Sequence, residues 1–175
     1  GKTSLALNIA ENVAVKNKRP VGFFSLEMSR EELVDRLLIA QADIDAWRLK
    51  TGKLSEEDFT KLSDAMGILA EAPLFIDDTP TMNILELRAK ARRMKAQHDI
   101  QLIMIDYLQL LDARSRAENR QQEITEISRS LKALAREIRV PVIAISQLSR
   151  AVESRTGDRA LLSGLSEWGA IAQVA

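Results

Sequence analysis

Gly1-Lys2-Thr3-Ser4, the first four residues, match the second half of the phosphate-binding loop G-x-x-x-x-G-K-S/T. In that loop, backbone N–H groups surround phosphate oxygens, the lysine neutralises the β- and γ-phosphates, and the hydroxyl holds Mg²⁺. A helix is predicted next, because an apolar stripe with a helical period follows at Leu5, Ile9, Ala10, Val13 and Ala14. The first N–H groups of such a helix would point at a bound anion. On these four residues alone, an ordinary Gly-Lys turn remains the alternative.

Composition excludes several kinds of protein and site. The chain has no cysteine and a single histidine, His98, so disulfides, thiolate metal sites and histidine-based sites are not expected. Lys+Arg 25 balances Asp+Glu 25, so any basic surface for nucleic acid must be local. A hydrophobic content of 46% excludes a disordered chain, and a length of 175 residues favours one domain with a real core. No apolar run reaches transmembrane length, and we expect no membrane partner.

Strands and helices alternate along the predicted chain. Short apolar runs predict strands over residues 21–26, 74–78, 101–106 and 142–146. Amphipathic patterns predict helices over 3–16, from 29 to about 42, within 43–54, from 55 to about 72, over 84–97 and over 121–139. This alternation predicts an α/β fold, with a mainly parallel sheet and helices on both of its faces.

Two of these helices carry more specific expectations. The spacing in the helix that begins after Ser55 predicts an inner face made of Phe59, Leu62, Met66, Leu69 and Ala70. The helix over 84–97 has an outer basic face with Arg88, Lys90, Arg92, Arg93 and Lys95. A solvated helix face is favoured over a binding surface for these cations.

Polar side chains follow three of the predicted strands, at the point where each strand ends. They are Glu27, Asp106 and Gln147. The carboxyl ends of parallel strands meet at one edge of a sheet, which is where open α/β sheets bind ligands. Hydrolysis of a nucleoside triphosphate at that edge needs a carboxylate that holds Mg²⁺, and Asp106 is suited to that role. It also needs a base for the attacking water, and Glu27 is suited to that role. Gln147 is suited to sensing the γ-phosphate, while a plain strand-end polar residue is the alternative at each position.

Three longer blocks carry a resemblance to a known family. They are Phe24-Ser25-Leu26-Glu27-Met28-Ser29, residues 103–110 (IMIDYLQL) and residues 142–150 (VIAISQLSR). Together they resemble the ATPase domain of DnaB-family replicative DNA helicases, and the similarity extends from Gly1 to about Ser154. The resemblance implies a RecA-like P-loop NTPase core, a homohexameric ring, and 5′→3′ translocation on single-stranded DNA that unwinds forked DNA. It also implies a primase and a helicase loader as partners, and a cytoplasmic location at the nucleoid.

The resemblance also assigns roles to individual residues. It implies ATP binding by Gly1, Lys2, Thr3, Ser4 and Gln147, with Lys2 and Glu27 as catalytic residues. It implies that Thr3 and Asp106 hold Mg²⁺. Two DNA-binding loops of the family correspond by position to residues near 112–120 and 150–169; the candidate contacts there are Arg114, Arg116, Arg120, Arg150, Arg155, Arg159, Glu167 and Gly169. Contacts of this kind read phosphate rather than base sequence, and solvent or a subunit contact is the alternative for each arginine.

The end of the chain departs from the family pattern. The family shows R-E-S-G-A/S-I-E-Q-D-A-D, whereas Ser166 stands here in place of the arginine, and Ala172 and Val174 stand in place of acids. Loss of that cation removes a charge-assisted contact to DNA. Because the chain opens inside a motif, we expect residues 1–175 to be a partial domain truncated at both ends, without the first half of the phosphate loop, the arginine finger or the N-terminal domain. Alone, it should have little ATPase activity, and a missing strand should leave two neighbouring strands unpaired.

Two other functions compete with the helicase interpretation. One is a RecA-like ATPase of DNA repair or recombination, against which the block around Glu27 and the long helix before Val142 both weigh. The other is an ATP-binding switch or loader that moves nothing. A switch needs no catalytic base, so the presence of Glu27 favours an enzyme.

Overall fold

The computed structural model describes residues 1–111 and 120–146 of the chain. Its four strands are β1 (Val21–Ser25), β2 (Leu74–Asp77), β3 (Leu102–Asp106) and β4 (Val142–Ala144). They form one parallel sheet in the order β2-β1-β3-β4. Every described strand therefore pairs with a neighbour, and the expectation of two unpaired neighbouring strands is wrong, because β3 pairs directly with β4.

Six α-helices are described around this sheet. They are α1 (Lys2–Glu11), α2 (Arg30–Ala42), α3 (Ala46–Thr51), α4 (Glu56–Glu71), α5 (Ile84–His98) and α6 (Arg120–Ile138). Helix α1 continues as π-helical turns over Asn12–Lys16, and a short 3₁₀ segment, Leu108–Leu110, follows β3. No helix among these residues is both long and apolar enough to cross a bilayer.

Local sequence explains where the helices begin and end. Ser29 and Ser55 each form a capping box with the acidic residue three positions later, Glu32 and Asp58. These reciprocal bonds satisfy backbone N–H groups that the first helical turn leaves free. Gly52 follows α3 in the left-handed conformation (φ +68°), which only glycine adopts without steric cost. The sequence Ser29-Arg30-Glu31-Glu32 has the S/T-x-x-E pattern of such a box.

The two faces of the sheet are covered by different helices. Successive strand residues point to opposite sides, so Phe24, Ile103 and Ile105 pack in one core cluster with residues of α5 and α6. Phe23, Leu102 and Met104 pack in the other cluster with residues of α1 and α2. All five residues of β1 and of β3 are buried, as expected for strands covered on both faces.

The buried face of α4 differs from the prediction. Phe59 and Met66, predicted to point inward, are 61% and 59% exposed, and Ala70 is also exposed. Asp58 and Ala65 are buried instead. The reason is tertiary: Ala65 packs with Ala42 and Ile44, and Asp58 accepts hydrogen bonds from Arg48 and the Ser55 backbone. Leu62 and Leu69 are half-buried and pack against the core, as predicted.

The basic face of α5 is mostly occupied by ion pairs within the chain. Arg88 and Arg92 both bind Glu137 of α6, at 3.3 Å and 2.6 Å. Lys90 binds Asp77 of β2 and Lys95 binds Asp99. Only 24%, 22% and 27% of the Arg88, Lys90 and Lys95 side chains are exposed, so this face is less solvated than predicted, because the cations contact acids of their own fold.

Candidate functional site

The ends of β1 and β3 lie side by side at the carboxyl edge of the sheet. Ser25, the last residue of β1, is in register with Asp106, the last residue of β3. Beyond them, the Leu26 N–H donates to the Asp106 carbonyl oxygen at 2.8 Å. Glu27 follows directly and is exposed. The structure therefore brings the predicted base and the predicted metal-binding acid to the same point of the edge.

Asp106 combines burial with an unused oxygen. The residue is 2% exposed, and its Oδ1 atom is buried without a hydrogen-bond partner among the described residues. A buried polar atom without a partner costs free energy unless a ligand or water satisfies it. Because a carboxylate oxygen is the ligand that Mg²⁺ prefers, this donor fits a divalent cation or its bound water.

Asp106 lies on the face of the sheet that carries α1. Strand side chains alternate, so Asp106 shares its face with Leu102 and Met104, and both of those pack in the core cluster that includes α1. Ser25 lies on this face for the same reason, since it alternates with Phe23. Helix α1, which begins with Lys2, is therefore on the side of the sheet to which the candidate acid points.

Helix α1 begins towards the same edge. Only residues 17–20 separate its π-helical end at Lys16 from the first residue of β1, so that end of the helix lies at the amino ends of the strands. A helix from Lys2 to Lys16 is about 22 Å long, whereas a five-residue strand is about 16 Å long. A helix that packs along this sheet thus places its first turn beyond the carboxyl ends of the strands.

The first turn of α1 differs from the starts of α2 to α5. Those four helices each begin with a side-chain cap, whereas the N-cap of α1 is Gly1, which has no side chain to accept a hydrogen bond. Lys2 and Ser4 are exposed and Thr3 is half-buried. Free N–H groups beside a lysine and two hydroxyl groups suit a phosphate ligand.

A second pair of carboxylates lies on the flank of this edge, at the end of β2. Burial alone would raise the pKa of Asp77, but hydrogen bonds from Lys90 and Thr79 outweigh burial and lower it below its ordinary value. Asp78 accepts a hydrogen bond from the Arg30 backbone at 2.8 Å. Both acids are thus engaged by their own fold, and no cluster of three metal-binding side chains is found within residues 1–111 and 120–146.

The end of β4 is tied to the segment after β3. The Gln109 side-chain amide donates to the Ser146 hydroxyl at 2.7 Å, and the Leu108 N–H donates to the Ile145 carbonyl at 2.9 Å. Ser146 precedes Gln147, which lies outside the described residues together with most of the candidate DNA contacts: Arg114, Arg116, Arg150, Arg155, Arg159, Glu167 and Gly169. Arg120 begins α6, but its side chain is also outside the described part.

A cavity of about 530 Å³ lies behind the first turn of α1, between α1, α2 and α3. Ser4 and Glu11 line it from α1, Arg36 from α2 and Lys50 from α3. Burial raises the pKa of Glu11 above its ordinary value, and the attraction of Lys16 offsets only part of that effect. The sequence did not indicate this cavity, because it depends on how three helices pack together.

Comparison with known proteins gives consistent matches over the whole chain. A family model described as the DnaB-like helicase C-terminal domain matches residues 1–175. The replicative DNA helicase DnaB of Geobacillus stearothermophilus is 55% identical over 174 residues, which is 99% of this chain and 38% of that protein. The replicative DNA helicase DnaC of Bacillus subtilis strain 168 is 53% identical, with the same coverage. The chain thus spans 38% of the length of these two relatives.

Two solved structures also match over almost the whole chain. One solved ATPase domain superimposes with a TM-score of 0.91 and 38% identity, covering 99% of this chain and 62% of that one. A DnaB-like replicative helicase, solved in a study of its interactions with primase, gives the same TM-score and identity and covers 99% of this chain and 43% of that one.

Proposed function

Because this chain belongs to the family of DnaB-like helicase C-terminal domains, we propose that it is the ATPase motor of a replicative DNA helicase. The predicted α/β, RecA-like fold agrees with the solved ATPase domain that it matches at a TM-score of 0.91. The observation that carries the proposal is the junction of β1 and β3, where the Leu26 N–H bonds the Asp106 carbonyl at 2.8 Å. That bond joins the segment of the candidate base to the candidate metal-binding acid.

In this proposal the first turn of α1 binds the triphosphate. The free N–H groups after Gly1 donate hydrogen bonds to phosphate oxygens at the helix N-terminus, where the helix dipole favours an anion. The Lys2 ammonium group neutralises the β- and γ-phosphates, Ser4 lies in the same turn, and Gln147 contacts the γ-phosphate as a sensor. Stabilising the charge that develops on the phosphoryl oxygens is the main catalytic task in this class of reaction.

The cofactor is Mg²⁺, held by the Thr3 hydroxyl and by Asp106 directly or through water. When bound, Mg²⁺ would neutralise part of the negative charge of the phosphates. The support is the buried Oδ1 atom of Asp106, which has no partner among the described residues.

Glu27 acts as the general base. Its exposed carboxylate accepts a hydrogen bond from the attacking water and takes its proton as the water oxygen bonds to the γ-phosphorus. The bond between the γ-phosphorus and the bridging oxygen breaks, and ADP leaves. Hydrolysis then drives the protein along single-stranded DNA in the 5′→3′ direction, as a homohexameric ring that opens forked DNA.

The DNA contacts and partners complete the proposal. The arginines of residues 112–120 and 150–169 bind the DNA backbone, so binding should weaken as salt is added. Primase and a helicase loader are the proposed protein partners, and the cytoplasm, at the nucleoid, is the proposed location. One of the structural neighbours is a DnaB-like helicase described with its interactions with primase, which supports the first of these partners.

The test compares Glu27→Gln with Glu31→Gln in the full-length helicase. Both side chains are exposed acids near the start of α2, so the second variant controls for loss of charge. Glu27→Gln should bind a fluorescent ATP analogue normally and hydrolyse ATP about 10²- to 10⁴-fold more slowly. Glu31→Gln should behave like the wild type. Hydrolysis at the wild-type rate by Glu27→Gln would remove the base from the mechanism.

A strand-displacement assay separates the helicase from the competing functions. Duplex DNA with a single-stranded 5′ tail should be unwound, and duplex DNA with only a 3′ tail should not. ATP hydrolysis without unwinding of either duplex would favour the switch or loader, and stable filament formation on DNA without unwinding would favour a recombination ATPase.

A further inference from the structure

The turn that carries Glu27 is held from inside by one buried hydroxyl group. This turn, residues 26–28, connects β1 to α2 and displays Glu27 at the surface while its neighbours are packed. We propose that Ser25 is a positioning residue, which holds Glu27 in place for its action on the attacking water by clamping this turn. The inference rests on the proposed function, because it assigns Ser25 a role only if Glu27 is the base.

Ser25 makes two hydrogen bonds across the turn. Its hydroxyl donates to the Met28 carbonyl oxygen at 2.7 Å and accepts from the Met28 N–H at 3.3 Å. The residue is 2% exposed, so water does not compete for these bonds as it would at the surface. Both bonds span Leu26 and Glu27, and the short loop that they close has Glu27 near its tip.

The two ends of the turn are fixed independently of Ser25. On the strand side, the Leu26 N–H donates to the Asp106 carbonyl at 2.8 Å. On the helix side, the Ser29 N–H donates to the Glu32 carboxylate at 3.1 Å, and the Arg30 N–H donates to Asp78 at 2.8 Å. Removing the Ser25 hydroxyl therefore leaves both anchors in place and loosens the segment between them, where Glu27 lies.

Loosening this segment should affect turnover more than binding. A base displaced by about 1 Å from its productive position can slow a reaction on the order of 10²-fold. Because the two anchors remain, we expect Ser25→Ala to lower kcat about tenfold. None of the proposed phosphate contacts lies in residues 26–28, so the KM for ATP should stay within about twofold of the wild type.

A double-mutant cycle distinguishes positioning from a merely structural role. The proteins are full-length wild type, Ser25→Ala, Glu27→Gln and the double variant, assayed for ATP hydrolysis in single-turnover reactions. If Ser25 acts through Glu27, Ser25→Ala should cost about tenfold in the wild type and nothing further in Glu27→Gln. An equal cost in both backgrounds overturns the inference, because general damage to the fold would not depend on the base.

Two more variants control for packing. Ser128→Ala removes another buried serine hydroxyl, on α6, and should leave kcat unchanged. Ser25→Cys keeps the shape of the side chain, with a larger sulfur atom in place of oxygen, and the thiol is a weaker hydrogen-bond donor. Its kcat should therefore fall between those of the wild type and Ser25→Ala. This variant also provides the test if Ser25→Ala fails to fold, and wild-type turnover by Ser25→Cys would then contradict the inference.

The turnover rates of Ser25→Ala and Glu27→Gln show whether the role of Ser25 fails alone or together with the proposed function. Wild-type turnover by Ser25→Ala, with a slow Glu27→Gln, overturns only the role of Ser25. Wild-type turnover by Glu27→Gln overturns the proposed base and the role of Ser25 together.

Discussion

Lys90 should contribute measurably to stability, although it belongs to a helix face with an ordinary solvated pattern. Its ammonium nitrogen lies 2.8 Å from Asp77 Oδ2 and also donates to Thr79, and only 22% and 16% of the Lys90 and Asp77 side chains are exposed. The ion pair ties α5 to the end of β2. We predict that Lys90→Met destabilises the fold, because it leaves a largely covered carboxylate without its cation.

The size of the effect follows from this burial. A hydrogen bond to a charged group contributes about 1.5–3 kcal/mol, and partial solvent screening reduces that figure. We therefore expect a loss of about 1–2 kcal/mol, equivalent to a fall in Tm of about 3–6 °C for a chain of this size. Arg92→Met is the control, because Arg92 and Glu137 are each 44% exposed, and its Tm should fall by clearly less.

The loss of Tm caused by Lys90→Met should depend on pH. The pKa of Asp77 is lowered in the folded state, so its stabilising effect is complete above its unfolded pKa, about 3.9, and is lost as pH falls through the folded value. The Tm difference between wild type and Lys90→Met should be largest near neutral pH and shrink below about pH 4. Thermal unfolding followed by circular dichroism measures both quantities. Equal Tm losses for Lys90→Met and Arg92→Met, or a difference that does not change with pH, would refute the reasoning.

Four further variants test the packing and the charge of Glu11. Phe59→Ser should leave the free energy of unfolding in urea nearly unchanged, because Phe59 is 61% exposed. Leu134→Ala, at a fully buried site, should lower it by about 2–5 kcal/mol. Similar losses for the two variants would contradict the observed face of α4. Gly22→Ala should cost about 1 kcal/mol in the same assay, because a Cβ there would lie 3.2 Å from Met94 Sδ and 3.3 Å from Ile100 Cδ1; a gain in stability would contradict that contact. Glu11→Gln should raise Tm near neutral pH, because the raised pKa of Glu11 means that its charged form destabilises the fold. The gain in Tm should vanish once the pH falls below the ordinary pKa of glutamate. A lower Tm at neutral pH would refute this prediction.

The sequence determined the order and type of the elements. Each strand was visible as a short apolar run and most helices as amphipathic stretches, because these periods are properties of neighbouring residues. The candidate site was partly visible for the same reason. Glu27 and Asp106 follow apolar runs directly, and parallel strands place such residues at one edge. The three blocks that carried the resemblance also indicated the family that the comparisons then showed.

Only the tertiary structure decided which elements are neighbours and which faces they bury. The sheet order puts β1 between β2 and β3, so that Ser25 meets Asp106, and no local pattern specifies a pairing between residues so far apart. The inner face of α4 follows Asp58 rather than Phe59, because α2 and α3 provide its partners. The clamp on Glu27 depends on a turn whose shape emerges only when both of its ends are packed. Local periodicity sets what each segment can become, whereas contacts between distant segments select one arrangement from those possibilities.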